Sequence, residues 1–283
     1  MAEQTRRVLI ASILALAAWQ MAVGQNPAPP PDAPPQATTP ADAPLNPKLP
    51  TVFIVGDSTA RNGRDLGWGD HFAQFFDTSR INVANRARAG RSSRTYINEG
   101  MWAKTLAEMK PGDFLLLQMG HNDGGDLGGA KPRGTLKGIG EETKDVPQTV
   151  GPLAGQTETV HTYGWYLRKM IDEAKAKGVR PMLLTVTIRN IWTAGADGKQ
   201  HIERDMGYTA FIQQVAEQEK IPVVDMATLE ANRLESIGPE KTAALFPIDH
   251  THTSPDGAGQ NARDVATAIR NEHSPLAGYL KTP

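Results

Sequence analysis

The sequence predicts an α/β fold, a three-layer sandwich around a central, mainly parallel five-stranded sheet. Three observations carry this. Five short apolar runs, Val52-Phe53-Ile54-Val55, Ile81-Asn82-Val83-Ala84, Phe114-Leu115-Leu116-Leu117, Met182-Leu183-Leu184-Thr185-Val186 and Ile221-Pro222-Val223-Val224, read as strands. The longest are apolar on both faces, as strands of a sheet covered on both sides must be. The runs alternate with stretches of helical spacing, and such alternation specifies a layered sandwich with right-handed crossovers.

Each helical stretch has its place. Residues 70–77 follow the first strand, 100–109 precede the third, 162–177 precede the fourth, 203–219 precede the fifth, and 255–270 close the chain. Lys177-Gly178 and Glu219-Lys220 supply helix stops just ahead of strands. Residues 124–160 break the rhythm: they are rich in Gly, Pro, Thr and Lys, lack periodicity and exceed an ordinary connection. A long insertion after a strand's carboxyl end is expected to act as a substrate-binding loop.

The chain has 283 residues, 39% hydrophobic and 22% charged, enough for one sizeable core. Its formal charge of −1 offers no electrostatic footprint for nucleic acid or anionic membrane. Arg6 and Arg7 precede the apolar run 8–18, and small residues follow at Ala22 and Gly24, so residues 1–24 read as a signal peptide. An uncleaved anchor is the alternative, disfavoured by the short apolar stretch and by Gln20. Removing the peptide takes away one net positive charge and leaves the partner argument unchanged. The product would be secreted or periplasmic and free of membrane. Residues 25–50, with Pro29-Pro30-Pro31 and Pro34-Pro35, have little to bury and read as a disordered linker, leaving 51–283 as the folded domain. With no cysteine, an exported chain relies on its core alone and carries no lipoprotein anchor.

Four segments, three after strands and one near the C-terminus, carry candidate chemistry. Strand one ends in Gly56-Asp57-Ser58-Thr59, placing a hydroxyl at the sheet edge where open α/β folds bind ligands; alone, Ser58 reads first as a cap or turn residue. Strand two leads to Gly90, where a backbone can approach a ligand closely or simply turn. Strand three ends in Gly120-His121-Asn122-Asp123, presenting an amide that could also close an Asx turn. Near the C-terminus Asp249 and His252 stand three apart on one tight segment. There the carboxylate can hold Nδ1–H while Nε2 faces outward, an arrangement that makes a general base.

Together the four segments resemble the motif blocks of the SGNH hydrolases, and most closely the rhamnogalacturonan acetylesterases, whose pattern is matched also by Gly67-Trp68-Gly69, Ala89-Gly90-Arg91-Ser92, Gly124-Gly125 and the run from Phe246 to Pro255. The similarity covers 51–270. It implies a flavodoxin-like SGNH fold with Ser58 as nucleophile, His252 as base and Asp249 as its orienter. The implied oxyanion donors are the N–H groups of Ser58 and Gly90 and the side-chain amide of Asn122. It further implies release of acetate from an acetylated pectic polysaccharide without a cofactor. The alternatives are another acetylated glycan such as xylan, acyl transfer, or small esters, since fold and triad do not choose the acceptor.

Other residues stay open between roles. His250 and His252 flank a carboxylate as a metal pair might, but a metal would leave Ser58, Gly90 and Asn122 idle, so no metal is expected. Arg91 and Arg94 suit uronate carboxylates or loop salt bridges. His121 could touch substrate or brace its loop. Trp192 could stack on a sugar or pack as a half-buried loop aromatic. Tyr163, Trp165 and Tyr166 are expected to pack against the sheet.

Overall fold

The computed structural model describes residues 43–63 and 65–282. The expected signal peptide and the linker through residue 42 lie outside the described residues. The fold begins ahead of Thr51: Asn46 exchanges hydrogen bonds with the Asn82 side chain, N–H to Oδ1 and Nδ2–H to carbonyl, both 2.9 Å.

In chain order the elements are β1 (Thr51–Gly56), a 3-10 helix (Trp68–Phe75), β2 (Asn82–Asn85), α1 (Ser93–Asn98), α2 (Met101–Glu108), β3 (Phe114–Gln118), β4 (Thr143–Pro147), β5 (Thr157–His161), α3 (Tyr163–Ala176), β6 (Arg180–Leu184), β7 (Trp192–Ala194), β8 (Gln200–Ile202), α4 (Thr209–Glu219), β9 (Val223–Val224), α5 (Met226–Ala243), α6 (Pro255–Asn271) and a 3-10 turn (Pro275–Tyr279). Five strands form one parallel sheet in the order β2-β1-β3-β6-β9.

The period of two along each strand divides the core. Val52, Ile54, Phe114, Leu116, Met182 and Leu184 pack toward α6 and the first 3-10 helix. Phe53, Val55, Leu115, Leu117 and Leu183 pack toward α2, α3 and α4. These side chains are 2% exposed or less, and burying each contributes at most about 1.5–3 kcal/mol. Tyr163 and Tyr166 are buried as expected, whereas Trp165 stays half-buried and stacks on His161 with ring centroids 3.7 Å apart.

Several details depart from the sequence reading. In place of a helix over 70–77 the chain forms a 3-10 helix over Trp68–Phe75, and Phe76 is already extended. Residues 203–208 stay outside α4, because the Gly207 N–H bonds Asp205 Oδ1 at 2.7 Å with Gly207 at φ +78°. The insertion 124–160 holds an antiparallel hairpin, β4–β5, and β7–β8 forms a second. α5 is bent at Gly238-Pro239, where φ and ψ leave the helical region. Among the described residues no helix is long and apolar enough to cross a membrane.

Candidate active site

Strand β1 ends in a turn built by Asp57. Its Oδ1 accepts the Thr59 N–H at 2.9 Å and the Thr59 hydroxyl at 2.8 Å, while its carbonyl accepts the N–H groups of Ala60 and Arg61. The turn leaves Ser58 at the carboxyl edge of the sheet. Gln118, at the end of β3, accepts from the Trp68 indole at 2.7 Å and from the Thr59 hydroxyl at 3.2 Å, fixing the turn to its neighbours. Gly67 is required by space: a Cβ there would lie 2.4 Å from the Ala60 carbonyl carbon.

The C-terminal segment is clamped over the same edge. Ser254 N–H bonds the Leu245 carbonyl at 2.8 Å, Asn190 N–H bonds His250 O at 2.7 Å, and the Thr253 hydroxyl bonds Leu66 O at 3.1 Å. Ser254 then caps α6 through Gly257 N–H, a contact of the kind that contributes about 1 kcal/mol, with Pro255 in the first turn. The segment so held places His252 Nε2 2.9 Å from Ser58 Oγ. His252 Nδ1 lies 2.6 Å from Asp249 Oδ2, while Asp249 Oδ1 accepts the N–H groups of His252 at 2.8 Å and Thr251 at 2.7 Å. Burial pushes the Asp249 carboxyl up, but the hydrogen bonds from the His252 ring and the two N–H groups outweigh it and hold the group below its ordinary range.

Gly90 sits at φ +76°, the left-handed region that favours glycine. Among the described residues its N–H and that of Ser58 have no acceptor. Asn122 points one amide N–H at Arg91 O, 2.9 Å away, which leaves the second available. Donors, hydroxyl and imidazole thus meet the requirements of acyl transfer: a serine with a base in reach, and unspent N–H groups for an oxyanion.

The remaining expected residues fall out differently. Arg91 is committed to Glu99 at 2.9 Å and to Ala89 O at 3.0 Å. Arg94 is buried, forked onto the Glu158 carboxylate and bonded to the carbonyls of Leu127 and Gly134, so it pins the insertion rather than reaching a ligand's carboxylate. His121 Nε2 lies 2.8 Å from the Thr187 hydroxyl. Burial, together with Arg189 and His252, lowers its pKa to about 4 against the pull of Asp57, leaving the ring neutral. Trp192 packs beside Ile188, Ile202 and Phe246 and donates to Asn190 Oδ1 at 2.8 Å, on a hairpin whose base touches the His250 backbone. His250 is exposed, and among the described residues no three His, Cys, Asp or Glu side chains gather as a metal site would need.

Sequence reasoning passed over Gln118, Ser93 and Asp123. Ser93 donates to the buried Asp123 carboxylate from its hydroxyl at 2.5 Å and its N–H at 3.1 Å, joining the Gly90 loop to the Asn122 loop. Burial raises the Asp123 pKa to about 7 despite those bonds. Nothing in local spacing announces a pair thirty residues apart.

Fold and site together define a serine carboxylic ester hydrolase of the layered α/β type. The family model for the GDSL-like lipase/acylhydrolase family matches residues 54–259, and the chain belongs to that family. A rhamnogalacturonan acetylesterase of Emericella nidulans is 30% identical over 219 residues, 77% of this chain and 84% of that one. The rhamnogalacturonan acetylesterase RhgT of Bacillus subtilis is 28% identical over 249 residues, 81% of this chain and 93% of its own. Among solved structures, protein YxiM of Bacillus subtilis aligns with a TM-score of 0.63 at 26% identity over 83% of this chain, which spans 59% of that one.

Proposed function

We propose that this chain is a carbohydrate esterase that removes acetyl groups from a pectic polysaccharide, rhamnogalacturonan before others, through an acetyl-enzyme on Ser58. The contact between His252 Nε2 and Ser58 Oγ carries the reading. His252 takes the hydroxyl proton as Oγ attacks the acetyl carbonyl, and the oxyanion is met by the N–H groups of Ser58 and Gly90 and the Asn122 amide. The proton passes to the departing sugar oxygen, and water repeats the sequence to release acetate. Asp249 keeps Nδ1 protonated so that Nε2 can accept.

The choice of polymer is supported by the two acetylesterases named above, each aligned over most of its length. Export to the periplasm or medium is supported by Arg6-Arg7 and the apolar run behind them. The test is acetate release from acetylated rhamnogalacturonan, acetylated xylan and p-nitrophenyl acetate, beside the Ser58→Ala protein. Activity surviving in the variant removes the serine mechanism, and acetate from xylan but not from pectin reassigns the polymer.

A further inference from the structure

A cavity of about 180 Å³ lies between α1 and the 124–160 insertion, outside the catalytic group. Its volume suits one sugar ring rather than an extended chain. We infer that it is a subsite for one neutral sugar residue of the polymer, a reading that rests on the glycan activity proposed above.

The lining has two characters. Val150, Pro152 and Leu153 form an apolar wall, beside which Asn98 gives its amide N–H to Glu158 and keeps its Oδ1 for a ligand hydroxyl. A pyranose has the same two characters, an apolar face and a hydroxyl edge, and sites of this kind pair apolar walls with a few placed polar atoms. Gln148 is 3% exposed; its Nε2 donates to the carbonyls of Leu127 and Val146, and its Oε1 has no partner among the described residues. That oxygen is closed off from solvent as the side chain stands; a buried acceptor left unpaired costs stability, so a side-chain shift that brought it to a ligand hydroxyl would be favoured.

Charge selects against a uronate. Arg94, the cation of the lining, is consumed by Glu158 and two carbonyls, and Glu99 is matched by Arg91. A uronate would find no unmatched cation there to offset its loss of water.

The cavity also has a structural link to the chemistry. Glu99 lines it and pairs with Arg91, whose carbonyl accepts the Asn122 amide. A sugar seated there would lie one short helix from the ester under attack. The insertion thereby gains a role in gripping polymer.

Val150 is 39% exposed, so Val150→Asp places a charge in the wall with little risk to folding, and circular dichroism checks the fold. Two measurements decide. In the first, kcat/KM for acetylated rhamnogalacturonan is divided by that for p-nitrophenyl acetate; the ratio should fall roughly tenfold in Val150→Asp, and by less in Leu153→Ala. In the second, saturation-transfer NMR on the Ser58→Ala protein should show methyl rhamnoside bound, galacturonic acid unbound, and the rhamnoside signal lost when Val150→Asp is added. An unchanged ratio, with the wild type active on polymer, overturns the subsite and leaves the esterase reading standing. Galacturonic acid bound as well as the rhamnoside overturns its neutrality. A wild type that cleaves p-nitrophenyl acetate but no acetylated glycan removes both readings.

Discussion

Asp249 grips His252 twice: Oδ2 meets the ring Nδ1 at 2.6 Å while Oδ1 accepts the same residue's backbone N–H at 2.8 Å. One carboxylate therefore sets both the tautomer of the imidazole and the path of the chain that carries it. In Asp249→Asn the amide oxygen can still accept the backbone bond, but the NH2 group would face Nδ1 and move the ring proton to Nε2. The expected result is a loss in kcat of about 10⁴ with the fold intact by circular dichroism, the size seen for this change in a serine-protease triad. Retention of more than a tenth of the activity contradicts the role given to Asp249.

The pH profile follows from the same pair. His252 accepts a proton only when neutral, so kcat/KM should rise with pH. Asp249 is held below the ordinary carboxylate range, so it stays ionised through that rise and contributes stability that is lost only as pH falls through its lowered value. A profile with no acid limb would count against His252 as the base.

Asp123 has the opposite sign. Its carboxyl is raised to about 7, against about 3.9 in an unfolded chain, so between those values the fold holds a proton that the unfolded chain has released. Its contribution is full at low pH and declines as pH rises through the window. Thermal melts from pH 5 to 8 should show a steeper fall in Tm for the wild type than for Asp123→Asn. Parallel slopes would mean that Asp123 does not titrate there.

Asn122→Ala removes one of the three expected oxyanion donors and should lower kcat by about 10²–10³, with a much smaller change in KM. Asn122→Asp keeps the size, loses the same donor to Arg91 O and adds charge beside the oxyanion, so it should fall at least as far. Normal kcat in both variants would take Asn122 out of the oxyanion site.

The limits of reading the sequence track how far each feature depends on distant partners. The sheet was legible because β1 and β3 are apolar on both faces, and Ser58, Gly90 and Asn122 stood out as motif blocks after strands, Asp249 and His252 as one ahead of α6. Hairpin β4–β5 was not, since Val146 is the one buried residue of β4 and no alternation marks it. α5 escaped because Gly238-Pro239 bends it and its apolar face is weak. Arg94 stayed open in sequence between a uronate partner and a loop salt bridge, and only the insertion folding over it reveals Glu158 as its partner.

The claim on which the account turns is that Ser58 becomes acetylated with His252 as its base. The most direct measurement is mass spectrometry of acid-quenched, digested protein taken during turnover of p-nitrophenyl acetate. The account predicts an acetyl group on the peptide containing Ser58 in the wild type, and its absence in His252→Ala. Acetyl on a different residue, or turnover with no acetylated peptide at any time, would contradict it.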